Sequence, residues 1–148
     1  MYKHILIATD GSELADKGLE HGLQLAQAVG ASVTVLSVTE PLSVSMLQAA
    51  INAGVTNPAS TYDQSINSEM KARFAEIGQR AAQKGVTVEL THEIDEHPAE
   101  AIVRFAGLKG CDLIVMSSHG RRGVRRFVLG SQTAEVVTHT DIPVLVIR

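Results

Sequence analysis

Tryptophan is absent from this chain, and all aromatic residues together make up only 3% of it. A stacking platform for single-stranded nucleic acid needs aromatic faces, so that class of binder is unsupported. Excess positive charge is also missing. The formal net charge is −3, which argues against nucleic-acid binding through overall charge and leaves only a local basic patch. Cysteine occurs once, as Cys111, which rules out an internal disulfide framework and suits a reducing compartment. Cys111 opens an apolar, strand-like run, where a thiol reads as inert core and not as a nucleophile. No apolar stretch is long enough to span a bilayer. Residues 1–8 do not read as a signal peptide, because their apolar run is short and stops at Thr9-Asp10. The expected compartment is the cytoplasm, with neither membrane nor nucleic acid as partner.

What is present is an ordinary globular composition. The chain has 148 residues, 45% hydrophobic and 20% charged, which favours one domain over residues 1–148 with a sizeable core. Strand-like and helix-like segments alternate along it. His4-Ile-Leu-Ile-Ala8 is a short apolar run. Ser12 is placed to cap a helix with Ala15, Leu19, Leu23, Ala26 and Val29 at helical spacing, and Gly30 suits its stop. Residues 32–38 are β-branched and strand-like. Residues 40–60 hold Pro41, Gly54 and Asn57-Pro58 around a short helical segment at 44–53, the pattern of a lid or mobile insertion. A longer helix is predicted over 62–84, with Ile66, Met70, Phe74, Ile77 and Ala81 on one face and Gly85 at its end. The third strand falls at 86–90. Pro98 starts another helix through 108, with Glu100 close behind. A strand at 111–115, a short helix at 132–140 and a last strand at 143–147 complete the pattern.

Strands separated by helical connections imply an α/β fold, here an open five-stranded parallel sheet with helices on both faces. Right-handed crossovers limit its topologies. Such sheets bind ligands at the carboxyl ends of strands, where strand order reverses. Asp10 ends the first strand, Val38 the second and Ser117 the fourth.

The strongest chemical signal follows that fourth strand, in Met116-Ser-Ser-His-Gly-Arg-Arg-Gly-Val-Arg-Arg-Phe-Val-Leu-Gly-Ser131. It reads as strand, glycine- and arginine-rich loop, then helix N-terminus. Glycines let the backbone approach a ligand, and unpaired N–H groups at a helix start point at it. Arg121, Arg122, Arg125 and Arg126 add positive charge. The segment reads either as a phosphate cradle for a nucleotide or as a surface loop with turn glycines and solvated arginines. If the first and fourth strands are neighbours, Asp10 faces this loop across a crevice. Asp10 also suits the plainer task of accepting the Gly11 and Ser12 amides, and the two roles are compatible.

The chain resembles the universal stress protein family over essentially its whole length. The resemblance is carried by Ile5-Leu-Ile-Ala-Thr-Asp10-Gly-Ser12, Ser117-Ser-His-Gly120, Gly130-Ser131 and Pro143-Val-Leu-Val-Ile147. The family's nucleotide motif is glycine, two residues, glycine, nine residues, glycine, then serine or threonine. Here nine residues separate Gly120 from Gly130-Ser131, but the first position is Ser117 in place of glycine. That serine is small and polar. It either permits binding or narrows the approach to ribose and phosphates.

The resemblance implies a flavodoxin-like, adenine-nucleotide-alpha-hydrolase-like fold with strand order 3-2-1-4-5. It implies ATP, with or without Mg²⁺, or else AMP or ADP, as ligand, and a stress-response or regulatory role. Asp10 would accept hydrogen bonds from the sugar or base edge, with Ala8 and Thr9 lining that edge. The Val38 backbone would face adenine, and Met116 would pack on base or sugar; without the resemblance both read as plain core. Backbone N–H groups near Gly120 and at Gly130, Ser131 and Gln132 would hold phosphates. The Ser131 and Thr133 hydroxyls add contacts, and Ser117 completes the set; His119, read from the loop itself, either reaches a phosphate or simply covers the loop. The resemblance further implies a homodimer through the last strand, Val144, Leu145, Val146 and Ile147. An apolar edge strand is a template for a second copy about a two-fold axis, although a helix could equally cover it in a monomer.

Other signals are weaker. His92-Glu-Ile-Asp-Glu-His97 gathers potential metal ligands, but its spacing matches no helical zinc motif and a solvated loop fits better. No P-loop and no dinucleotide-binding glycine motif is present. His119 has no visible orienting partner for general-base work, and no nucleophilic triad stands out. The expectation is therefore no catalytic residue and no metal site. A nucleotide-binding regulator leads, with a nucleotide-free dimeric interaction module and a slow ATPase as the alternatives. No downstream partner is legible.

Overall fold

The computed structural model describes residues 1–121 and 128–148. Strands β1 (His4–Ala8), β2 (Ser32–Thr39), β3 (Val88–Ile94), β4 (Leu113–Ser117) and β5 (Val144–Ile147) form one sheet in the order β3-β2-β1-β4-β5. All the pairings are parallel. Helices α1 (Glu13–Val29), α2 (Val44–Asn52), α3 (Pro58–Gln83), α4 (Pro98–Leu108) and α5 (Ser131–His139) connect the strands.

Alternation along β1 explains the layering. Ile5 and Ile7 point to one side, into a cluster with Leu19, Leu23, Ile77 and Ala81 of α1 and α3. Leu6 and Ala8 point to the other, against Ala99 and Ile102 of α4 and Val136 of α5. A central parallel strand covered on both faces must be apolar at every position, and Ile5, Leu6 and Ile7 are each 0% exposed. In α1, Ser12 Oγ accepts the Ala15 N–H at 3.2 Å and Gly30 closes the helix in the left-handed conformation. The buried stripe contains Gly18 and Gly22 as well as the apolar residues. A Cβ at Gly22 would overlap the Ile7 side chain, so this glycine sets how closely α1 lies on β1.

Three elements differ from the sequence reading by two residues or more, and the others by at most one. Helix α3 begins at Pro58, not at residue 62, because proline at the first helical position is pre-set for a helix. Strand β3 runs Val88–Ile94, not 86–90. Gly85 turns the chain with φ 66°, Val86 packs into the core, and pairing then follows β2 from Val33↔Val88 to Thr39↔Ile94. Strand β4 is Leu113–Ser117, two residues later than 111–115. Cys111 and Asp112 lead into it, with the Asp112 carboxylate accepting the Lys3 and His4 amides.

Helix α2 forms inside the expected insertion and buries none of its residues; Val44 is 84% exposed. Among the described residues no helix is long and apolar enough to cross a membrane.

Candidate functional site

Strand order reverses between β1 and β4, which are neighbours. The loop after β1 and the loop after β4 therefore leave the sheet side by side at its carboxyl edge. Asp10 links them. Its Oδ1 accepts the Ser12 N–H at 2.9 Å, and its Oδ2 accepts the Arg121 N–H at 2.9 Å. The Ser12 part of the turn role and the facing role are thus carried by different oxygens of one carboxylate, while the Gly11 N–H donates to Thr9 Oγ1 at 3.2 Å and not to Asp10. Gly120 allows the approach, since a Cβ there would lie 2.5 Å from Asp10 Oδ2.

The far end of the loop returns to its start. The Gly130 N–H donates to the Ser118 carbonyl at 2.8 Å, and the Ser118 N–H donates to the Ile147 carbonyl at 2.8 Å. A Cβ at Gly130 would stand 3.1 Å from the Ser118 carbonyl oxygen, so this closure also favours glycine. Gly130 is the N-cap of α5 and offers no capping side chain, so among the described residues no side chain caps the first turn, the kind of helix start that favours anions. Arg122, Gly123, Arg125 and Arg126 lie outside the described residues.

The remaining sequence-predicted residues fall around this junction with varied roles. Ala8 and Thr9 are buried at the end of β1. Thr9 donates its N–H to the Leu36 carbonyl and accepts Ser37 Oγ at its own carbonyl, 3.0 Å away. Val38 is half-buried against the α4 face and Met116 is buried in the same cluster. Ser117, at the first motif position, is buried; its Oγ donates to the His119 carbonyl at 2.8 Å, and its own carbonyl accepts the Thr133 hydroxyl at 2.8 Å. His119 Nδ1 lies 3.1 Å from Ser118 Oγ. Gln132 turns its side chain to α4, where Oε1 accepts the Ala99 N–H at 3.0 Å. Ser131 is exposed at the start of α5. Val144, Leu145, Val146 and Ile147 form the edge strand, with Leu145 37% exposed.

The sequence reading missed α3 as a contributor. Arg73 lies over Gly11, where any Cβ would overlap its guanidinium, and Gly11 also takes φ 77°. Arg73 Nη1 donates to Ser37 Oγ at 3.1 Å, and Nη2 donates to Glu69 Oε1 at 2.5 Å. The same Glu69 oxygen accepts Arg121 Nη2 at 2.8 Å. The hydrogen bond from Arg121 holds the Glu69 carboxyl below its usual range against the opposing effect of burial, and the charge of Arg73 adds to it. One signal was available. Glu69 and Arg73 are spaced for a helical ion pair and flank the apolar residues Met70 and Phe74.

The two histidines of the 92–97 segment serve separate ends. His92 Nε2 is 2.7 Å from Thr39 Oγ1 on the sheet, and burial lowers its pKa. His97 donates its N–H to Asp95 Oδ1 at 2.8 Å at the start of α4.

A parallel α/β sheet whose β1 and β4 loops are joined through Asp10 at the switch point defines the class. Within that class, a match to the Universal stress protein family spans residues 1–148, and the chain belongs to this family. It is 30% identical to universal stress protein YxiE of Bacillus subtilis, over 100% of both chains. It is also 30% identical to universal stress protein MJ0531 of Methanocaldococcus jannaschii, over 100% of this chain and 83% of that one. Among solved structures, protein MJ0577 superposes with a TM-score of 0.80 at 28% identity, over 99% of this chain and 96% of that one. A universal stress protein solved in complex with cAMP superposes with a TM-score of 0.71 at 22% identity, covering 99% and 97%. One from Archaeoglobus fulgidus in complex with dAMP gives a TM-score of 0.64 at 21% identity, covering 99% and 98%.

Proposed function

We propose that residues 1–148 act as one domain that binds an adenine nucleotide, with ATP first and ADP or AMP as alternatives, in the crevice between the β1 and β4 loops. The observation that carries this reading is the junction itself. Asp10 reaches across to the Arg121 amide beside Gly120, and the loop closes at Gly130 on the uncapped start of α5. Such a start favours phosphate, and close backbone approach needs the glycines. Family members solved with cAMP and dAMP support an adenine ligand. The role is regulatory, in a stress response, within the cytoplasm. A second copy pairs along the outer edge of β5, through Val144, Leu145, Val146 and Ile147. No catalytic step is assigned; among the described residues His119 Nδ1 faces Ser118 Oγ.

A second reading has a specific observation behind it. Ser117 Oγ is turned into its own loop and Arg73 lies over Gly11, an arrangement that also suits a nucleotide-free interaction module. Calorimetry with ATP and Mg²⁺ separates the two. The nucleotide reading expects heat of binding and a rise in melting temperature. Saturation at about 100 times Kd adds about 2.7 kcal/mol. No heat and no shift at millimolar ATP would leave the interaction module. Light scattering tests the dimer, and a clean monomer mass at micromolar concentration removes it.

A further inference from the structure

Helix α3 brings an acid and a base to the mouth of the crevice. Arg73 is fixed: its side chain is only 15% exposed, it bonds Ser37, and Ser37 in turn bonds the Thr9 carbonyl. Gly11 is shaped around it, since the guanidinium occupies the space a Cβ would fill. Arg121 arrives from the other loop, with its backbone tied to Asp10 and its guanidinium to Glu69. Two guanidinium groups from opposite sides of the crevice thus meet on a single carboxylate oxygen, Glu69 Oε1. Each guanidinium carries five N–H donors in a planar fork, so most of their hydrogen-bonding capacity is not used by Glu69. The Glu69 side chain is 39% exposed, against 15% for Arg73. The base is therefore the held member of the pair and the acid the exchangeable one.

We infer that Arg73 is a phosphate-binding residue of the crevice and that Glu69 is the internal anion which the nucleotide's phosphates displace. The inference rests on the nucleotide reading and adds to it a specificity element drawn from α3. With Glu69 in place its single negative charge offsets one of the two arginine charges, and a neutral nucleoside brings no phosphate to either. A polyphosphate supplies several oxygens where Glu69 supplies one, and planar guanidinium groups bind phosphate in two-point fashion. Exchange frees Glu69 to solvent. Repulsion between the released carboxylate and the bound phosphates is the cost, and it sets the preference for multiply charged ligands.

The test uses the whole chain with ATP, followed by calorimetry, and adenosine, followed by its displacement of ATP. Glu69→Gln removes the competing charge and should tighten ATP on the order of fivefold, the scale of a partly exposed ion pair, with adenosine unchanged. Arg73→Gln should weaken ATP on the order of tenfold, again sparing adenosine, and should flatten the salt dependence of ATP binding. If Arg73→Gln does not fold, Glu69→Gln still decides, because it removes only a charge at a partly exposed position. ATP affinity unchanged in Glu69→Gln, or ATP and adenosine shifted equally, overturns the inference while leaving nucleotide binding intact. Absence of ATP binding by the parent defeats the nucleotide reading, and the inference with it.

Discussion

Removing the Asp10 carboxylate tests the junction directly. Asp10→Ala deletes two hydrogen bonds from backbone amides, Ser12 N–H and Arg121 N–H, each 2.9 Å long. Bonds to a charged acceptor contribute about 1.5–3 kcal/mol each when shielded. Asp10 is only half-buried and Arg121 is exposed, so about 2 kcal/mol in total is the reasoned loss. For a domain of this length about 2–4 °C accompanies each kcal/mol, so a fall of about 4–8 °C is expected in scanning calorimetry. Asp10→Asn keeps one acceptor for the turn but sets an NH₂ group against one of the amides, and should lose about half as much. Gly120→Ala should resemble it, because the new Cβ would stand 2.5 Å from Oδ2 and push the loops apart. Amide hydrogen exchange at Arg121 gives a local readout: protected in the parent, fast in Asp10→Ala. If Asp10→Ala melts within about 1 °C of the parent and Arg121 exchanges equally in both, the carboxylate does not join the two loops and the argument fails.

Acid should weaken the contact between α1 and α3. Hydrogen bonds from Lys84 and then Arg80 pull the Glu20 carboxyl down from 4.5 to about 2. A depressed folded pKa means the stabilisation is complete above about 4.5 and is lost as pH falls through about 2. Glu20 is 33% exposed, so screening reduces the contribution to about 1 kcal/mol. The gap in urea midpoint between parent and Glu20→Gln should be open near neutrality and close toward about pH 2; a gap that persists there contradicts the assignment. Cys111 should resist thiol reagents, because burial and then the nearby Asp112 and Glu89 charges raise its pKa to about 11. Ellman's reagent should react slowly with the folded chain and fast in denaturant, and equal rates would place the thiol at the surface. Gly22→Val should destabilise by about 1–3 kcal/mol through overlap with Ile7; urea unfolding indistinguishable from the parent would mean α1 does not lie on β1 at this point.

Much of the architecture was legible because local physics decides it. The continuous apolar run of β1, the cap at Ser12, the stop at Gly30 and the proline start of α4 each depend on a few neighbouring residues. The motif from Gly120 to Gly130-Ser131 could be read for the same reason, as could the likelihood that Asp10 faces it once β1 and β4 were taken as neighbours. The boundaries of β3 and β4 were less legible. A strand ends where its partner's backbone stops pairing, and for β3 that partner is β2, far away in the chain.

Only the tertiary structure placed α3 beside the β1 and β4 loops. Along the sequence Arg73 and Glu69 are polar residues beside an apolar helical face, and Gly11 is a turn glycine. In the fold, Gly11 is also the surface on which Arg73 rests, and Ser37, 36 residues away, becomes its partner. Side-chain commitments were equally hidden: Thr133 to the Ser117 carbonyl, Gln132 to the start of α4, Ser117 to its own loop. The sequence by itself determined the periodicity, the caps and the glycine spacing, because these act over one turn or one strand. The tertiary structure decided which polar groups meet, because a hydrogen bond depends on distance in space and not on separation along the chain.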